Sequence, residues 1–297
     1  MLTSRPGSLL HKHMRNTIRQ TLSAASEQLQ QCSDSARADA EILLSFILAC
    51  DRSFFHTWPE LELEDAQAQE FKELLQRRIN GEPIAHITGH RSFWDFDLKV
   101  SADTLIPRPE TELLIEHALK KIPTDSTNNI LDLGTGTGAI ALAIAYERPL
   151  SKVMAIEQSP AALNIAEQNK ELLKLSNLTL LSGDWFTPLN EQMFNIIISN
   201  PPYISDNDPH LLQGDVRFEP RTALAAGADG LDDLRFITSH AQKHLITEGW
   251  LMLEHGYNQA DQVHDLLAQN NYKNIQQFND LGGQPRVSIG QKAEPLD

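Results

Sequence analysis

Residues 130–144 read "ILDLGTGTGAIALAI", and this stretch decides the fold of the larger part of the chain. An apolar run typical of a buried strand is followed by Gly134, Gly136 and Gly138 and then by an apolar run typical of a helix. Glycine permits a tight turn here and lets a ligand approach the backbone closely at the start of a helix. The loop also fits the G-x-G-x-x-A fingerprint of nicotinamide enzymes through Ala139. On its own it leaves dinucleotide binding, methyl-donor binding and a plain turn open.

Strand-like and helix-like segments alternate after this loop. Short apolar runs recur as "KVMAI", "LTLL", "FNIIIS" and "WLMLE", and patterns of helical spacing such as "SPAALNIAEQNKELLKL" lie between them. This alternation predicts an α/β fold with a doubly wound, mostly parallel sheet. In such sheets, ligands bind beyond the carboxyl ends of the strands.

The chain is expected to consist of three segments. Residues 1–80 carry apolar residues at helical spacing, as in "ARADAEILLSFILAC", and are predicted to form a small helical domain. The first thirteen or so residues lack this pattern and are expected to be a disordered extension, or the result of a start codon assigned too far upstream. Residues 81–108 are punctuated by glycine and proline, and "SFWDFDLKV" alternates as a β-hairpin does, so this segment is predicted to be a connector. Residues 109–297 are then expected to hold the sheet.

Charge and composition restrict the partners and the compartment. The formal net charge of −15 opposes nucleic acid binding, in which basic residues supply most of the affinity, and favours a basic protein partner. No apolar run approaches the ~20 residues of a membrane span, and the first residues do not resemble a signal peptide, so a cytoplasmic protein is expected. The cysteines and histidines lack the spacing of metal ligands, so no metal is expected.

Two further strand ends carry side chains suited to a nucleoside. The run "VMAIE" ends in Glu157, at roughly the distance downstream of a glycine loop at which a carboxylate accepts hydrogen bonds from ribose hydroxyls. The run "LLSGDWF" contributes Asp184 and Trp185, an acceptor for the exocyclic amine of adenine and a face for its ring. Alternatively, Glu157 is a charge at the start of a helix, and Trp185 is a buried structural tryptophan.

Residues 196–205, "IIISNPPYIS", end the fourth strand with an amide, two prolines and a phenol. Proline cannot donate a ladder hydrogen bond, so the strand stops at Asn200. A planar nitrogen, as in an amide or an aromatic amine, is a poor nucleophile and has to be held in place. The Asn200 side-chain oxygen and the Pro201 carbonyl can accept its two N–H groups. Pro202 stiffens the backbone, and Tyr203 offers a ring on which a flat group can pack.

Together these motifs resemble the class I, S-adenosylmethionine-dependent methyltransferases that act on planar nitrogens. Within that class, "LIPRPETE", "DLGTGTGAIALA", "GDWF", "SNPPYI" and "GDVRFEPRTAL" are similar to the release factor glutamine methyltransferases. The resemblance implies a class I methyltransferase fold. It also implies transfer of a methyl group from S-adenosyl-L-methionine to the side-chain nitrogen (N5) of the glutamine in the Gly-Gly-Gln motif of class I peptide chain release factors.

The resemblance also assigns site residues. The donor site would comprise Gly134, Thr135, Gly136, Thr137, Gly138, Glu157, Asp184, Trp185 and Asn200. The substrate glutamine would be held by Asn200, Pro201, Pro202 and Tyr203, with Asn200, Pro201 and Tyr203 as the catalytic residues. The family usually has aspartate where this chain has Glu157, which is one methylene longer. No general base is assigned, because an amide nitrogen that gains a methyl group is acidic enough to lose its proton unaided.

Other functions share part of this pattern. A ribosomal-protein glutamine methyltransferase is the nearest alternative, but that sister family tends to read Pro-Arg-Ser-Pro where this chain has "PRPETE" at residues 107–112. A DNA or RNA adenine-N6 methyltransferase could use the same tetrapeptide, but it needs a basic channel. A non-enzymatic translation-factor binding protein would not need a donor site. The helical domain has no evident chemistry of its own, so it is expected to recognise the body of the release factor. The enzyme is expected to be a monomer.

Overall fold

The computed structural model describes residues 16–294, so the extension expected over the first thirteen residues lies outside the described residues. The described residues form two compact units, which divide between Thr88 and Gly89. Each unit has its own hydrophobic core.

The N-terminal unit is helical, as its sequence pattern predicts. Its helices are α1 Ile18–Leu29, α2 Ala36–Leu48, α3 Ser53–Thr57, α4 Asp65–Ile79 and α5 Ile84–Thr88. Thr17 and Gln20 form a capping box at the start of α1, in which each side chain accepts a hydrogen bond from the other residue's backbone N–H. Leu22, Leu43 and Phe71 are buried in the core that α1, α2 and α4 share.

The C-terminal unit begins with a hairpin and continues as alternating helices and strands. The hairpin strands are β1 His90–Phe93 and β2 Phe96–Lys99, which pair antiparallel as the alternation in "SFWDFDLKV" predicts. The remaining elements are α6 Thr111–Lys121, β3 Asn129–Leu133, α7 Ala139–Glu147, β4 Lys152–Glu157, α8 Pro160–Leu173, β5 Leu178–Ser182, β6 Phe194–Ser199, α9 Asp232–Ala241, β7 Leu245–Glu254, α10 Ala260–Gln269, β8 Tyr272–Asn279 and β9 Pro285–Lys292. Three short 3₁₀ turns, Pro209–Leu212, Asp215–Phe218 and Arg221–Ala223, lie in the long loop after β6.

Seven strands form one sheet in the order β5-β4-β3-β6-β7-β9-β8. The pairs from β5 to β7 are parallel, and β9 pairs antiparallel with both β7 and β8. The predicted doubly wound, mostly parallel sheet is therefore confirmed. Because strand order reverses between β3 and β6, the carboxyl ends of these two strands mark the switch point at which a ligand is expected.

Helices cover both faces of this sheet. Consecutive strand residues point to opposite faces, so Ile130 packs into the core on one side and Leu131 into the core on the other. Helix α7 is buried from Ala139 to Ala145, which explains why its sequence is apolar all round. Within residues 16–294, no helix is both long and apolar enough to span a membrane.

Candidate active site

The glycine loop joins β3 to α7 at the switch point. Gly134, Gly136 and Gly138 have φ values of +70°, +58° and +87°, which lie in the left-handed region that favours glycine. A Cβ at Gly138 would lie 3.0 Å from the Leu142 side chain, whereas a Cβ at Gly136 would meet no atom within 4 Å. The middle of the loop thus faces open space, as a loop that passes around a ligand must.

Glu157 ends β4 and holds this loop in place. Its Oε2 accepts a hydrogen bond from the Gly136 N–H at 2.8 Å, and its Oε1 accepts one from the Ser159 N–H at 2.8 Å. Ser159 in turn caps α8. Because each carboxylate oxygen has two acceptor positions, one on each oxygen stays available for a ribose hydroxyl. The contact with Ser159 fits the helix-start role that is the alternative for Glu157, whereas the sequence did not indicate the contact with Gly136.

Asp132 and Asn169 form hydrogen bonds with residues of the glycine loop. Asp132 is fully buried, its Oδ2 accepts from the Thr135 hydroxyl at 2.6 Å, and its Oδ1 has no hydrogen-bond partner among the described residues. Burial raises the pKa of Asp132 to about 7. The Asn169 amide donates to the Thr137 carbonyl at 3.0 Å and to the Lys99 carbonyl at 3.0 Å. Sequence reasoning missed both residues, although an acid inside an apolar strand was a signal for Asp132.

Asp184 and Trp185 follow β5 and lie at the same edge of the sheet. The Trp185 ring lies beside the loop, because a Cβ at Gly134 would be 3.4 Å from it. Asp184 is exposed, and its backbone N–H donates to the Thr187 hydroxyl at 3.0 Å. The structure thus brings Trp185 together with the glycine loop and leaves the Asp184 carboxylate at the surface.

Asn200 follows β6, next to the end of β3. The Ser199 hydroxyl donates to the Leu133 carbonyl at 2.8 Å and so ties the two strand ends together. The Asn200 side-chain nitrogen donates to the Thr111 hydroxyl oxygen at 3.2 Å. This contact leaves the Asn200 side-chain oxygen as a free acceptor, which is what a substrate N–H requires. Pro201 is buried and Pro202 is half-buried.

Tyr203 is held at both its backbone and its ring. Its backbone carbonyl accepts from the Gln259 amide at 2.9 Å, and its hydroxyl donates to Glu254 Oε1 at 3.4 Å. Burial, with Glu254 close by, raises the pKa of Tyr203, so the phenol stays protonated. Glu254 ends β7 and is 1% exposed, and burial raises its pKa to about 7.

The loop after β6 is tied to the segment before α6 by an ion pair. Arg108 Nη2 donates to both oxygens of Glu219, at 2.6 and 2.8 Å. The Glu219 side chain has no exposed surface, and burial raises its pKa to about 7 although Arg108 opposes the shift. The motifs "PRPETE" and "GDVRFEPRTAL" are therefore in contact, a pairing that the sequence did not indicate.

The described residues, 16–294, contain no group of three or more histidine, cysteine, aspartate or glutamate side chains arranged to hold a metal ion. Several groups at the switch point can contact a ligand. They are the open glycine loop, the Glu157 carboxylate, the Trp185 ring, the Asn200 side-chain oxygen and the Pro201 carbonyl.

Comparison with known proteins identifies the family. Residues 20–89 match the PrmC N-terminal domain, and residues 109–214 match the methyltransferase small domain. A release factor glutamine methyltransferase of Pseudomonas aeruginosa is 49% identical over 88% of this chain and 94% of the relative. One of Vibrio cholerae is 49% identical over 93% of this chain and 96% of the relative.

A solved structure supports the fold. A methyltransferase from Pyrococcus furiosus superposes with a TM-score of 0.53 at 18% identity, over 75% of this chain and all of that one. At this identity the likeness concerns the fold alone. The sequence relatives carry the family assignment: the chain belongs to the release factor glutamine methyltransferases.

Proposed function

We propose that this protein transfers the methyl group of S-adenosyl-L-methionine to the side-chain amide nitrogen (N5) of the glutamine in the Gly-Gly-Gln motif of class I peptide chain release factors. Family membership supports the reaction and the kind of substrate. The observation that carries the proposal is the Asn200 amide, whose nitrogen is bound to Thr111 and whose oxygen is thereby left as an acceptor.

The residues around the glycine loop fit the methyl donor. Gly136 faces open space, Glu157 has acceptor positions for ribose hydroxyls, and the Trp185 ring beside Gly134 offers a face for adenine. Asp184, the residue before Trp185, is the proposed acceptor for the exocyclic amine of adenine. When bound, the donor supplies a methyl group on a positively charged sulfur, which is an activated leaving group. The chain's task is then to hold the acceptor nitrogen in line.

The tetrapeptide after β6 would hold that nitrogen. The Asn200 side-chain oxygen accepts one N–H of the substrate amide, and the Pro201 carbonyl accepts the other. The Tyr203 ring packs against the flat amide. Fixing the nitrogen in this way can contribute up to ~7–11 kcal/mol in favourable cases, because orientation is supplied before the reaction. The nitrogen gains the methyl group and loses one proton to solvent.

The N-terminal helical unit is proposed to bind the body of the release factor. A single glutamine is a small target, so a second contact surface is needed to select one protein. The unit exposes two large apolar side chains, Phe46 at 47% and Trp58 at 58%, which a protein partner can cover. The reaction is proposed to take place in the cytoplasm, and the enzyme to act as a monomer.

A competition experiment tests this function. The purified protein and a radiolabelled methyl donor are mixed with unmodified release factor, ribosomal proteins and DNA. Label should appear on the release factor, and changing the glutamine of its Gly-Gly-Gln motif to alanine should abolish the label. Label on a ribosomal protein instead would point to the sister family, and label on DNA would overturn the substrate class.

A further inference from the structure

The backbone carbonyl of Tyr203 is confined by two residues from other loops. Its oxygen accepts a hydrogen bond from the Gln259 side-chain nitrogen at 2.9 Å. Gly230 packs against the same atom, because a Cβ at Gly230 would lie 2.3 Å from the Tyr203 oxygen. Gly230 also has a φ of +74°, so glycine serves both the close approach and the left-handed backbone. The peptide group that follows Tyr203 therefore has little room to turn.

Gln259 is buried and uses both ends of its side-chain amide. Its Nε2 donates to the carbonyls of Tyr203 at 2.9 Å and Gly230 at 3.3 Å, and its Oε1 accepts from the Gly256 N–H at 2.8 Å. The reversed amide would place its oxygen against two carbonyls and its nitrogen against an N–H, so none of these hydrogen bonds could form. The three partners thus decide which end of the amide faces Tyr203.

The direction of the Tyr203 ring depends on this backbone contact. The allowed directions of a side chain follow from the backbone angles of its own residue. The hydroxyl of the ring lies 3.4 Å from Glu254 Oε1, which is longer than the ~2.7–2.8 Å of a strong O–H···O bond, so it does not fix the ring by itself. Asn200, at the other end of the tetrapeptide, is held by Thr111. Gln259 supplies the matching anchor at the tyrosine end.

We propose that Gln259 is a positioning residue for methyl transfer: by holding the Tyr203 carbonyl, it sets the direction in which the Tyr203 ring meets the substrate amide. The inference rests on the proposed function, in which this ring packs against the glutamine side chain. Gln259 touches neither donor nor substrate in this arrangement, because its amide is buried and its nitrogen and oxygen are bound within the chain. Its replacement should therefore disturb the ring and leave the donor site intact.

The first test uses the protein without substrate. The chain has four tyrosines, so their ring signals can be resolved by nuclear magnetic resonance on protein that carries labelled tyrosine. The signals of Tyr203 are identified by their absence in Tyr203→Phe. Gln259→Met removes both side-chain N–H groups and should shift the Tyr203 signals, whereas those of Tyr146, on α7, should keep their positions. Tyr203 signals that stay at their wild-type positions would overturn the proposal.

The second test measures kcat with saturating donor and release factor. Gln259→Met keeps the length of the side chain but frees the Tyr203 carbonyl, so kcat should fall about 10- to 100-fold, since a misplacement of ~1 Å at a site can cost ~100-fold. Gln259→Glu has at most one side-chain proton for two carbonyls and should also lower kcat. Gly230→Ala pushes on the same carbonyl from the other side and should have the same effect.

Stability and binding are measured on the same variants. Loss of positioning lowers kcat and leaves KM for the release factor and donor affinity close to wild type, whereas a general loss of structure would change all three and lower the unfolding temperature. Gln242→Met is the matched control, because the Gln242 amide also donates to a backbone carbonyl, that of Asn270 at 2.9 Å, at the end of α9. This variant should keep the wild-type kcat.

These outcomes separate the inference from the function on which it rests. If wild-type protein methylates the release factor but Gln259→Met and Gln259→Glu keep the wild-type kcat, the positioning role is wrong and the function stands. If the wild-type protein does not methylate the release factor, the function fails, and the ring signals still test whether Gln259 holds Tyr203.

Discussion

Asn200 is the residue from which the proposed chemistry follows, and its contact with Thr111 refines what the sequence predicts. Replacing Asn200 by alanine should lower kcat by roughly 10²–10³, the effect of removing one preorganised polar contact. Thermal unfolding should stay close to wild type, because the side chain makes one hydrogen bond within the described chain. Wild-type turnover in a folded Asn200→Ala protein would remove Asn200 from the mechanism.

Glu157 and Gly136 carry the prediction for the donor. Glu157→Ala removes the acceptor of the Gly136 N–H as well as the proposed ribose contact, so donor affinity should fall by about 1–3 kcal/mol, the scale of hydrogen bonds to a charged group. Gly136→Val should block the donor, because it fills the open space and strains a left-handed backbone.

Isothermal titration calorimetry measures both effects. Glu157→Asp is the informative companion, because it keeps the charge but shortens the side chain to the residue that the family usually has. Unchanged donor affinity in both Glu157→Ala and Gly136→Val would move the donor site elsewhere.

At the scale of elements, the sequence predicted local structure well and long-range pairing poorly. The glycine loop, the strand ends and the hairpin are encoded within a few neighbouring residues, by glycine conformation, proline and alternation. The contact between Thr111 and Asn200 joins residues 89 positions apart, and that between Arg108 and Glu219 joins residues 111 positions apart. Such contacts depend on how strands are ordered in the sheet, which no local pattern specifies. Sequence reasoning therefore found the acceptor side chains and missed the residues that orient them.

The ion pair between Arg108 and Glu219 gives a prediction about stability. Arg108→Ala leaves a buried carboxyl without its cation and should lower the free energy of unfolding by on the order of 3 kcal/mol at pH 8. Arg108 lowers the pKa of Glu219 against burial, so its removal raises that pKa further. A raised carboxyl pKa costs stability only where the group is ionised. The difference between variant and wild type should therefore shrink as the pH falls from 8 toward 7 and be lost below 7, where Glu219 is protonated in both.

Urea unfolding at several pH values measures this difference. The double variant Arg108→Ala with Glu219→Gln should recover most of the loss at pH 8, because no buried charge remains. A loss that is independent of pH and that the second substitution does not relieve would mean that Arg108 acts through packing alone.

At the scale of the whole molecule, the two units have separate proposed tasks. Phe46→Ala combined with Trp58→Ala in the N-terminal unit should raise KM for the release factor and leave kcat and donor affinity unchanged, because these side chains are exposed and make no part of the donor site. Leu150→Ala, which removes an equally exposed apolar side chain from the other unit, is the control. A change in kcat without a change in KM would contradict a recognition role.

The most direct test of the proposed function is to locate the methyl group on the product. Release factor is incubated with this protein and the methyl donor, and the peptide that contains the Gly-Gly-Gln motif is fragmented in a mass spectrometer. We expect one added methyl group on the side-chain nitrogen of that glutamine, and none when Asn200→Ala replaces the wild-type protein for the same short time. A methyl group on another residue, or an unmodified peptide after full incubation with wild-type protein, would contradict the proposed function.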